Sequence, residues 1–278
     1  MAVAGRFVPG GSGPDTYGCL MTIAFYVAYF GLLTRHRLIA YLLTPVFLYG
    51  IFATGSRTAL IALIVTPLLV LVVPRLTTKL GWRIVPMYVL GAAALAVIVL
   101  AFSPVGENTP EDYMSPLERY MTLSQVQSEQ TWAGRWSLWQ GALEITAAHP
   151  ILGVGEGNYA DFALENSETV AKHSANKETV AGVAHNMFLS VASQLGLVGL
   201  CLFLAVLFFA FKAALSIGQG SALGAGILLG LIAAMIAGMT LTWESYKIVY
   251  VLFGSVLALQ LNNSARCESA LDRHEGFH

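Results

Sequence analysis

The feature that most constrains this chain is its series of long apolar segments, which leave only 11% of the 278 residues charged. A soluble protein carries about 25% charged residues, and a helix needs roughly 20 apolar residues to cross the hydrocarbon core of a bilayer. The pattern therefore predicts an all-α integral membrane protein with about seven transmembrane helices. The segments that meet or approach the required length are 16–34, 38–54, 58–74, 84–103, 186–211, 222–241 and 246–261.

The distribution of Lys and Arg predicts how these segments cross the membrane. One set of short loops, together with the C-terminal tail, holds eight of these residues, whereas the opposite short loops hold only Arg6, Arg57 and Lys247. Because loops rich in positive charge stay in the cytoplasm, we expect the N-terminus, Arg57 and the turn at Lys247 to face outward.

The long segment 104–184 also faces outward in this topology, and its charge differs from that of the rest of the chain. It holds eleven acidic and four basic residues, a net charge of −7, whereas the remaining residues carry +6. Trp132, Trp136, Trp139 and Leu143 recur at helical spacing before Pro150, which predicts a helix over 132–148. Its indoles suit the membrane–water boundary.

The sequence thus divides into four predicted parts. Residues 1–103 hold about four transmembrane helices, and residues 104–184 form an extracytoplasmic loop that contains helices. Residues 185–261 hold about three transmembrane helices, and residues 262–278 form a cytoplasmic tail. We expect the loop to act as a lid over a site on the outer face.

Composition and motifs argue against several classes of protein. A net charge of −1 provides no basic field for nucleic acid, and three cysteines do not make a disulfide framework. No Asp-x-Asp motif occurs, so a catalytic metal is not indicated. The GxSxG elbow of serine hydrolases is missing as well. Membrane lipids are the partner that the composition itself predicts.

Two arginines on the predicted outer side are candidates for binding an anion. Arg57 lies between two apolar segments, and a guanidinium at membrane depth costs at least a few kcal/mol, which favours an anionic partner. The alternative for Arg57 is an interfacial anchor whose head group reaches the lipid head groups. Arg135 lies between Trp132 and Trp136, where a cation–π contact is the alternative.

His185 is the candidate for proton transfer. It lies where the acidic loop re-enters the membrane, and a neutral imidazole there could accept a proton from a substrate hydroxyl near pH 7. The alternative is a helix-terminal histidine that bonds only to the backbone. Arg119 is a further basic residue of the loop, although Glu118 and Glu111 offer it ordinary ion pairs.

Taken together, the motifs resemble the O-antigen ligase family of membrane glycosyltransferases. The resemblance rests on their order, spacing and sidedness along most of the chain. Near the start, Gly5-Arg6 followed by Pro14-Asp15 resembles the stretch that opens the family's shared region, with Pro-Asp where the family usually has Pro-Asn. Members generally carry ten or more spans, so we expect this chain to lack several N-terminal helices. The other motifs are GSRTAL at 55–60, GRW at 134–136, HPILGVG at 149–155 and HNMFL at 185–189, followed by Gly196.

The resemblance implies a GT-C-like fold and a metal-independent, inverting glycosyltransferase. The enzyme would be a multi-pass protein of the bacterial cytoplasmic (inner) membrane, with its active site on the periplasmic face. A glycan would pass from an undecaprenyl diphosphate carrier to a hydroxyl of lipid A–core, of another glycan or of a protein. His185 would be the base, and Arg57 and Arg135 would bind the diphosphate. The further candidates are Arg6, Arg119 and Asn186, and neither a cofactor nor a nucleic-acid partner is implied.

Several other functions share part of this pattern. A polymerase that extends a lipid-linked polysaccharide and a protein O-oligosaccharyltransferase use the same motif set. A non-enzymatic polysaccharide transporter or flippase would depend on charges inside the membrane, which are scarce here. A structural membrane subunit would leave glycan assembly unchanged when Arg57 or Arg135 is replaced.

Overall fold

The computed structural model describes residues 2–3, 6–7, 13–72, 132–175, 183–244 and 246–275. This part of the chain is helical apart from a short antiparallel ladder between β1 (Ala2–Val3) and β2 (Arg6–Phe7). The predicted all-α fold is therefore confirmed within these residues. The helices are α1 (Pro14–Leu33), α2 (Arg37–Ala53), α3 (Arg57–Val72), α4 (Trp132–Ala148), α5 (Tyr159–Asn166), α6 (Glu168–Ala175), α7 (Met187–Gly220), α8 (Ala222–Gly238) and α9 (Lys247–Glu275).

Six of the predicted spans begin within the described residues, and each coincides with a helix that begins within two residues of the expected position. Among the described helices, α1 and α7 are both long and apolar enough to cross a bilayer, whereas α2, α3, α8 and α9 contribute shorter apolar stretches. The span predicted at 84–103 lies outside the described residues, so the total of seven stays a prediction.

Two helices are longer than the predicted spans. Helix α7 continues to Gly220 because its last turns bury Ala214 and Ile217 in the main core. Helix α9 continues to Glu275, so the stretch 262–275, predicted as a tail, is helical. Hydropathy indicates where a segment fits a membrane, but a helix ends only where its backbone partners or its packing end.

The main core lies between α1 and the helices around it, and α8 approaches α1 most closely. A Cβ added to Gly226 would lie 2.7 Å from the carbonyl oxygen of Tyr26, and one added to Gly230 would lie 3.3 Å from the side chain of Val27. The small residues thus let the two backbones approach, as their spacing predicts. The Tyr26 hydroxyl also donates to the Leu63 carbonyl at 2.6 Å, which joins α1 to α3.

A second, smaller core forms among α4, α5 and α6. It buries Leu138, Ala142 and Ile145 of α4, and the Tyr159 hydroxyl of α5 donates to the Leu138 carbonyl at 2.7 Å. The bounds of α4 match the prediction, but its tryptophans differ in burial: Trp136 is 57% exposed, whereas Trp139 is partly buried. The position of this helix at the membrane boundary stays a prediction.

Candidate active site

Four helix ends meet at one end of the helix bundle, which we call the site end. It is formed by the N-terminal ends of α1, α3 and α7 and the C-terminal end of α8. The hydroxyls of Thr58 and Thr240 are 2.9 Å apart, which joins α3 to the end of α8, and Asn186 Nδ2 donates to the Met239 carbonyl at 3.2 Å. The N-terminal ends of α1, α3 and α7 carry positive partial charge here, and the C-terminal end of α8 carries negative partial charge.

Arg135 projects from the first turn of α4 toward the start of α1. Its Nη2 atom lies 3.7 Å from Oδ2 of Asp15, and the two side chains are 18% and 29% exposed. This separation exceeds the range of a hydrogen bond, so the ion pair is a loose one. The guanidinium is thus half-buried and makes this loose ion pair with the Asp15 carboxylate.

His185 is held in the same place by α4. Trp139 follows Arg135 by one helical turn, so both side chains leave the same face of α4, and Trp139 Nε1 donates to the His185 carbonyl at 3.4 Å. His185 is the one non-glycine residue with positive φ among those described, at 49°. Such a backbone is uncommon outside glycine, although histidine adopts it more readily than most residues.

The surroundings of His185 keep its ring neutral. Burial lowers the pKa of His185 below its ordinary 6.5, the nearby Arg135 lowers it further, and Asp15 raises it in part. The imidazole is consequently unprotonated at neutral pH, which is the form that can accept a proton.

Asn186 fixes the next position along the chain. Its side-chain oxygen accepts the backbone N–H groups of Phe188 and Leu189 at 3.0 and 3.1 Å, which caps the N-terminus of α7. With its amide nitrogen bonded to the Met239 carbonyl, Asn186 uses both ends of its side chain in structural contacts. These contacts cap α7 and join it to the C-terminal end of α8.

Arg57 begins α3 on the side of α1 that carries Asp15. The preceding turn contains Gly55 at φ 61°, and the Ser56 hydroxyl accepts the Ala59 N–H at 3.2 Å, which caps α3. Ser56 also bonds with the Cys19 thiol, and Cys19 lies one helical turn after Asp15. The turn before Arg57 therefore contacts α1 one helical turn after Asp15, the partner of Arg135.

Arg6 is in β2, where its backbone pairs with Val3. Arg119 lies outside the described residues.

Two acidic residues near the site were missed by the sequence analysis. Asp15 was noted only within the Pro14-Asp15 pair, whose proline is well placed at the start of a helix. Glu244, in the turn after α8, bonds with Ser190 of α7. Its Oε2 atom is buried without a hydrogen-bond partner among the described residues. The sequence feature that could have identified Glu244 is the occurrence of an acidic residue in a short turn between two apolar segments.

Comparison with known protein families gives one match. The sequence pattern of a family described as O-antigen ligase matches residues 40–204, which is more than half of the chain. The matched range includes Arg57, Arg119, Arg135, His185 and Asn186. No curated protein matches the chain.

Proposed function

The chain belongs to the O-antigen ligase family, and on that premise we propose that it transfers a glycan from undecaprenyl diphosphate to an acceptor hydroxyl. The family acts in surface-polysaccharide assembly, on lipid-linked glycan donors and glycan acceptors in general, and its proteins are membrane proteins. The acceptor that we propose is lipid A–core, which makes the protein a ligase of lipopolysaccharide biosynthesis.

The observation that supports the proposal best is the pairing of a cation and a neutral imidazole on one structural unit. Helix α4 supplies Arg135 and, one turn later, the Trp139 indole that binds the His185 carbonyl. A diphosphate donor needs positive charge at the leaving group, and an acceptor hydroxyl needs a base. Arg135 and His185, both at the site end, could satisfy these two requirements.

In the proposed reaction the acceptor oxygen attacks the anomeric carbon while the bond from that carbon to the diphosphate oxygen breaks. His185 takes the hydroxyl proton, and the bonding electrons leave with undecaprenyl diphosphate. Because the attack and the departure occur on opposite faces, the anomeric configuration inverts. General-base catalysis of this kind contributes roughly 10²–10⁴-fold to the rate.

Arg135 and Arg57 are the proposed diphosphate ligands. A guanidinium binds phosphate oxygens with two parallel hydrogen bonds, and the N-terminal ends of α1, α3 and α7 add positive partial charge. These groups supply the charge stabilisation, so the proposed reaction uses no metal. Arg6 and Arg119 stay further candidates for the same ligand.

The proposed location is the bacterial inner membrane, with the site end on the periplasmic face. We further propose a GT-C-like arrangement of about seven spans, in which the loop 104–184 covers the reaction from water. The domain limits remain those predicted, 1–103, 104–184, 185–261 and 262–278.

The test is a glycan profile of host cells that lack the native gene and carry the wild-type protein or a His185→Asn variant. Asparagine tolerates positive φ, so this change removes the base without adding backbone strain. We expect long lipid-linked chains to accumulate and transfer to lipid A–core to fall roughly 10²-fold or more. Protein levels in the membrane must match those of the wild type.

Other results would point to other functions. Accumulation of single lipid-linked units in the His185→Asn cells would identify a polymerase, and loss of glycan from a protein would identify an O-oligosaccharyltransferase. A wild-type profile at matched protein levels would show that His185 is not the base. Arg57→Ala and Arg135→Ala at normal protein levels then test for a structural subunit, which predicts unchanged glycans.

A further inference from the structure

Helix α7 is broken at Gly196, close to the site end. The backbone of Gly196 has φ 69° and ψ −172°, a region that is essentially restricted to glycine. A break of this kind separates the N–H groups of Leu197 and Val198 from the carbonyls of Ser193 and Gln194, their partners in a regular helix. Inside a membrane, groups freed in this way must find other partners.

The segment 150–157, which follows α4 and which we call the glycine loop, supplies those partners. It accepts from both freed N–H groups and donates to both freed carbonyls, so each broken helical bond is replaced by two new bonds. A fifth bond runs from the backbone N–H of Gly157 to the side-chain oxygen of Gln194 at 2.6 Å. The four backbone bonds are Leu197 N–H to Pro150 O at 2.7 Å, Val198 N–H to Ile151 O at 3.3 Å, Val154 N–H to Ser193 O at 3.1 Å and Gly155 N–H to Gln194 O at 2.8 Å.

The two backbones touch, and glycine is what permits this contact. A Cβ on Gly153 would overlap the carbonyl group of Gln194, and one on Gly196 would overlap the peptide between Ile151 and Leu152. Both glycines also have positive φ. The glycine loop is thus inserted into the break in α7 and cannot be a freely moving surface turn.

The exposed side chains of the glycine loop are apolar. Ile151 is 67% exposed and Leu152 is 72% exposed, although the backbone atoms beside them are bonded to α7. Helix α7 is itself long and apolar enough to cross a bilayer, and little of its apolar stretch is buried inside the protein. The exposed apolar side chains of α7 nearest to the break are Leu195, Leu197, Val198 and Leu202.

We propose that the glycine loop lies at membrane depth, with Ile151 and Leu152 in contact with the acyl chains of the bilayer leaflet on the site-end side. Acyl chains are the expected contact because these two side chains continue the exposed apolar surface of α7, a membrane-spanning helix. The backbone of the loop tolerates this environment because its polar groups are paired with α7. The polar residue Glu156, near the other end of the loop, is exposed, as is Asn158 directly after the loop.

Insertion of the glycine loop into the membrane would also fix the position of α4. The glycine loop begins directly after α4, the helix that carries Arg135 and Trp139. Insertion of Ile151 and Leu152 would hold the C-terminal end of α4 against the membrane. It would thereby fix the distance between Arg135, in the first turn of α4, and the lipid head groups. The inference concerns the location of the loop and does not depend on the proposed reaction.

Site-directed spin labelling in proteoliposomes tests the proposal. Nitroxides are attached singly at residues 151, 152 and 156, in a protein whose Cys19, Cys201 and Cys267 are replaced by alanine. Collision with oxygen, which concentrates in the bilayer, is compared with collision with a water-soluble nickel chelate. Position 202 on α7 serves as the lipid-facing reference.

We expect the labels at 151 and 152 to resemble the label at 202, with frequent oxygen collisions and few nickel collisions, and the label at 156 to show the reverse. Frequent nickel collisions at 151 and 152 would place the loop in water, and few collisions with either reagent would place it against protein. Either result overturns the proposal. Because two adjacent positions are labelled independently, failure of one variant to fold leaves the other to decide.

Discussion

Arg135 Nη2 and Asp15 Oδ2 lie 3.7 Å apart, and this pair joins the first turn of α4 to the first turn of α1 beside His185. The two charges act on the His185 imidazole in opposite directions, the guanidinium lowering its pKa and the carboxylate raising it. Burial, the largest contribution, also lowers the pKa. The two members of the pair therefore shift the pKa of His185 in opposite directions.

The first prediction concerns the pH dependence of transfer. A base works in its unprotonated form, so the rate falls as the pH drops through the pKa of His185, which lies below 6.5. Replacing Asp15 by Asn removes a negative charge, and the acidic limb should move to lower pH. Replacing Arg135 by Gln removes a positive charge, and the limb should move to higher pH while transfer weakens.

Initial rates with a lipid-linked donor between pH 5 and pH 8 would measure these shifts, and Glu156→Gln, an exposed acid of the glycine loop, serves as the control. A general loss of packing would not move the acidic limb of the pH–rate profile to lower pH in Asp15→Asn and to higher pH in Arg135→Gln. Identical limbs in all variants would mean that His185 is not the titrating base.

The second prediction concerns Trp139, which we regard as a positioning residue. Trp139→Phe keeps the ring but removes the indole N–H that binds the His185 carbonyl. A bond of this kind is worth about 0.5–1.5 kcal/mol, so kcat should fall by roughly 2- to 12-fold. Donor KM should change little, because Arg135 is retained.

Trp136→Phe is the matched control, since Trp136 lies on the same helix but is mostly exposed. Steady-state kinetics of both variants separate positioning from general damage to α4. Equal effects on kcat would contradict the role given to Trp139.

The third prediction concerns the break in α7. Gly196→Ala adds a Cβ that overlaps the backbone of the glycine loop, in a conformation that alanine rarely adopts. Strain of about 1–3 kcal/mol and overpacking of about 1–3 kcal/mol should lower the free energy of unfolding by roughly 2–6 kcal/mol in total.

Two glycines separate these contributions. Gly157 has positive φ but no atom near the added Cβ, so Gly157→Ala should show only the strain. Gly220, at the end of α7, has neither feature, and Gly220→Ala should be nearly neutral. Thermal unfolding in detergent ranks the three variants, and equal midpoints would contradict the inserted loop.

The fourth prediction concerns Glu244, whose buried Oε2 has no hydrogen-bond partner among the described residues. Burial raises the pKa of Glu244 above its ordinary 4.5. The folded protein then holds the proton more tightly than the unfolded chain, so wild-type stability should fall as the pH rises from about 4.5 through the folded pKa. Glu244→Gln stays neutral and should lose that dependence.

Unfolding midpoints of wild type and Glu244→Gln, measured from pH 4 to pH 8, would test this expectation. The variant should gain stability relative to wild type at the alkaline end. Glu165→Gln should not, because Glu165 is exposed and is not among the groups that raise the pKa of Glu244. A constant difference between wild type and Glu244→Gln across the range would mean that Glu244 does not titrate in the folded protein.

Much of the fold could be predicted because the relevant signals are local. The lengths of the apolar segments located α1, α2, α3, α7, α8 and α9, and the tryptophan spacing with Pro150 located α4. The packed side of α4 was not predictable in the same way. Its periodicity shows that a helix forms, but Leu138 and Ala142 are buried because α5 and α6 cover them, and a single helical pattern does not contain that information.

The sequence by itself determined an apolar helical chain and the residue types suited to binding an anion and accepting a proton, and it predicts an outward position for the acidic loop. These properties follow from hydropathy, charge and capping, which act over a few turns of helix. Only the tertiary structure decided that Asp15 faces Arg135, that Trp139 holds His185 and that the glycine loop fills the break at Gly196. Each of those contacts joins residues far apart in the chain, and side-chain packing between helices, not local preference, selects which of them meet.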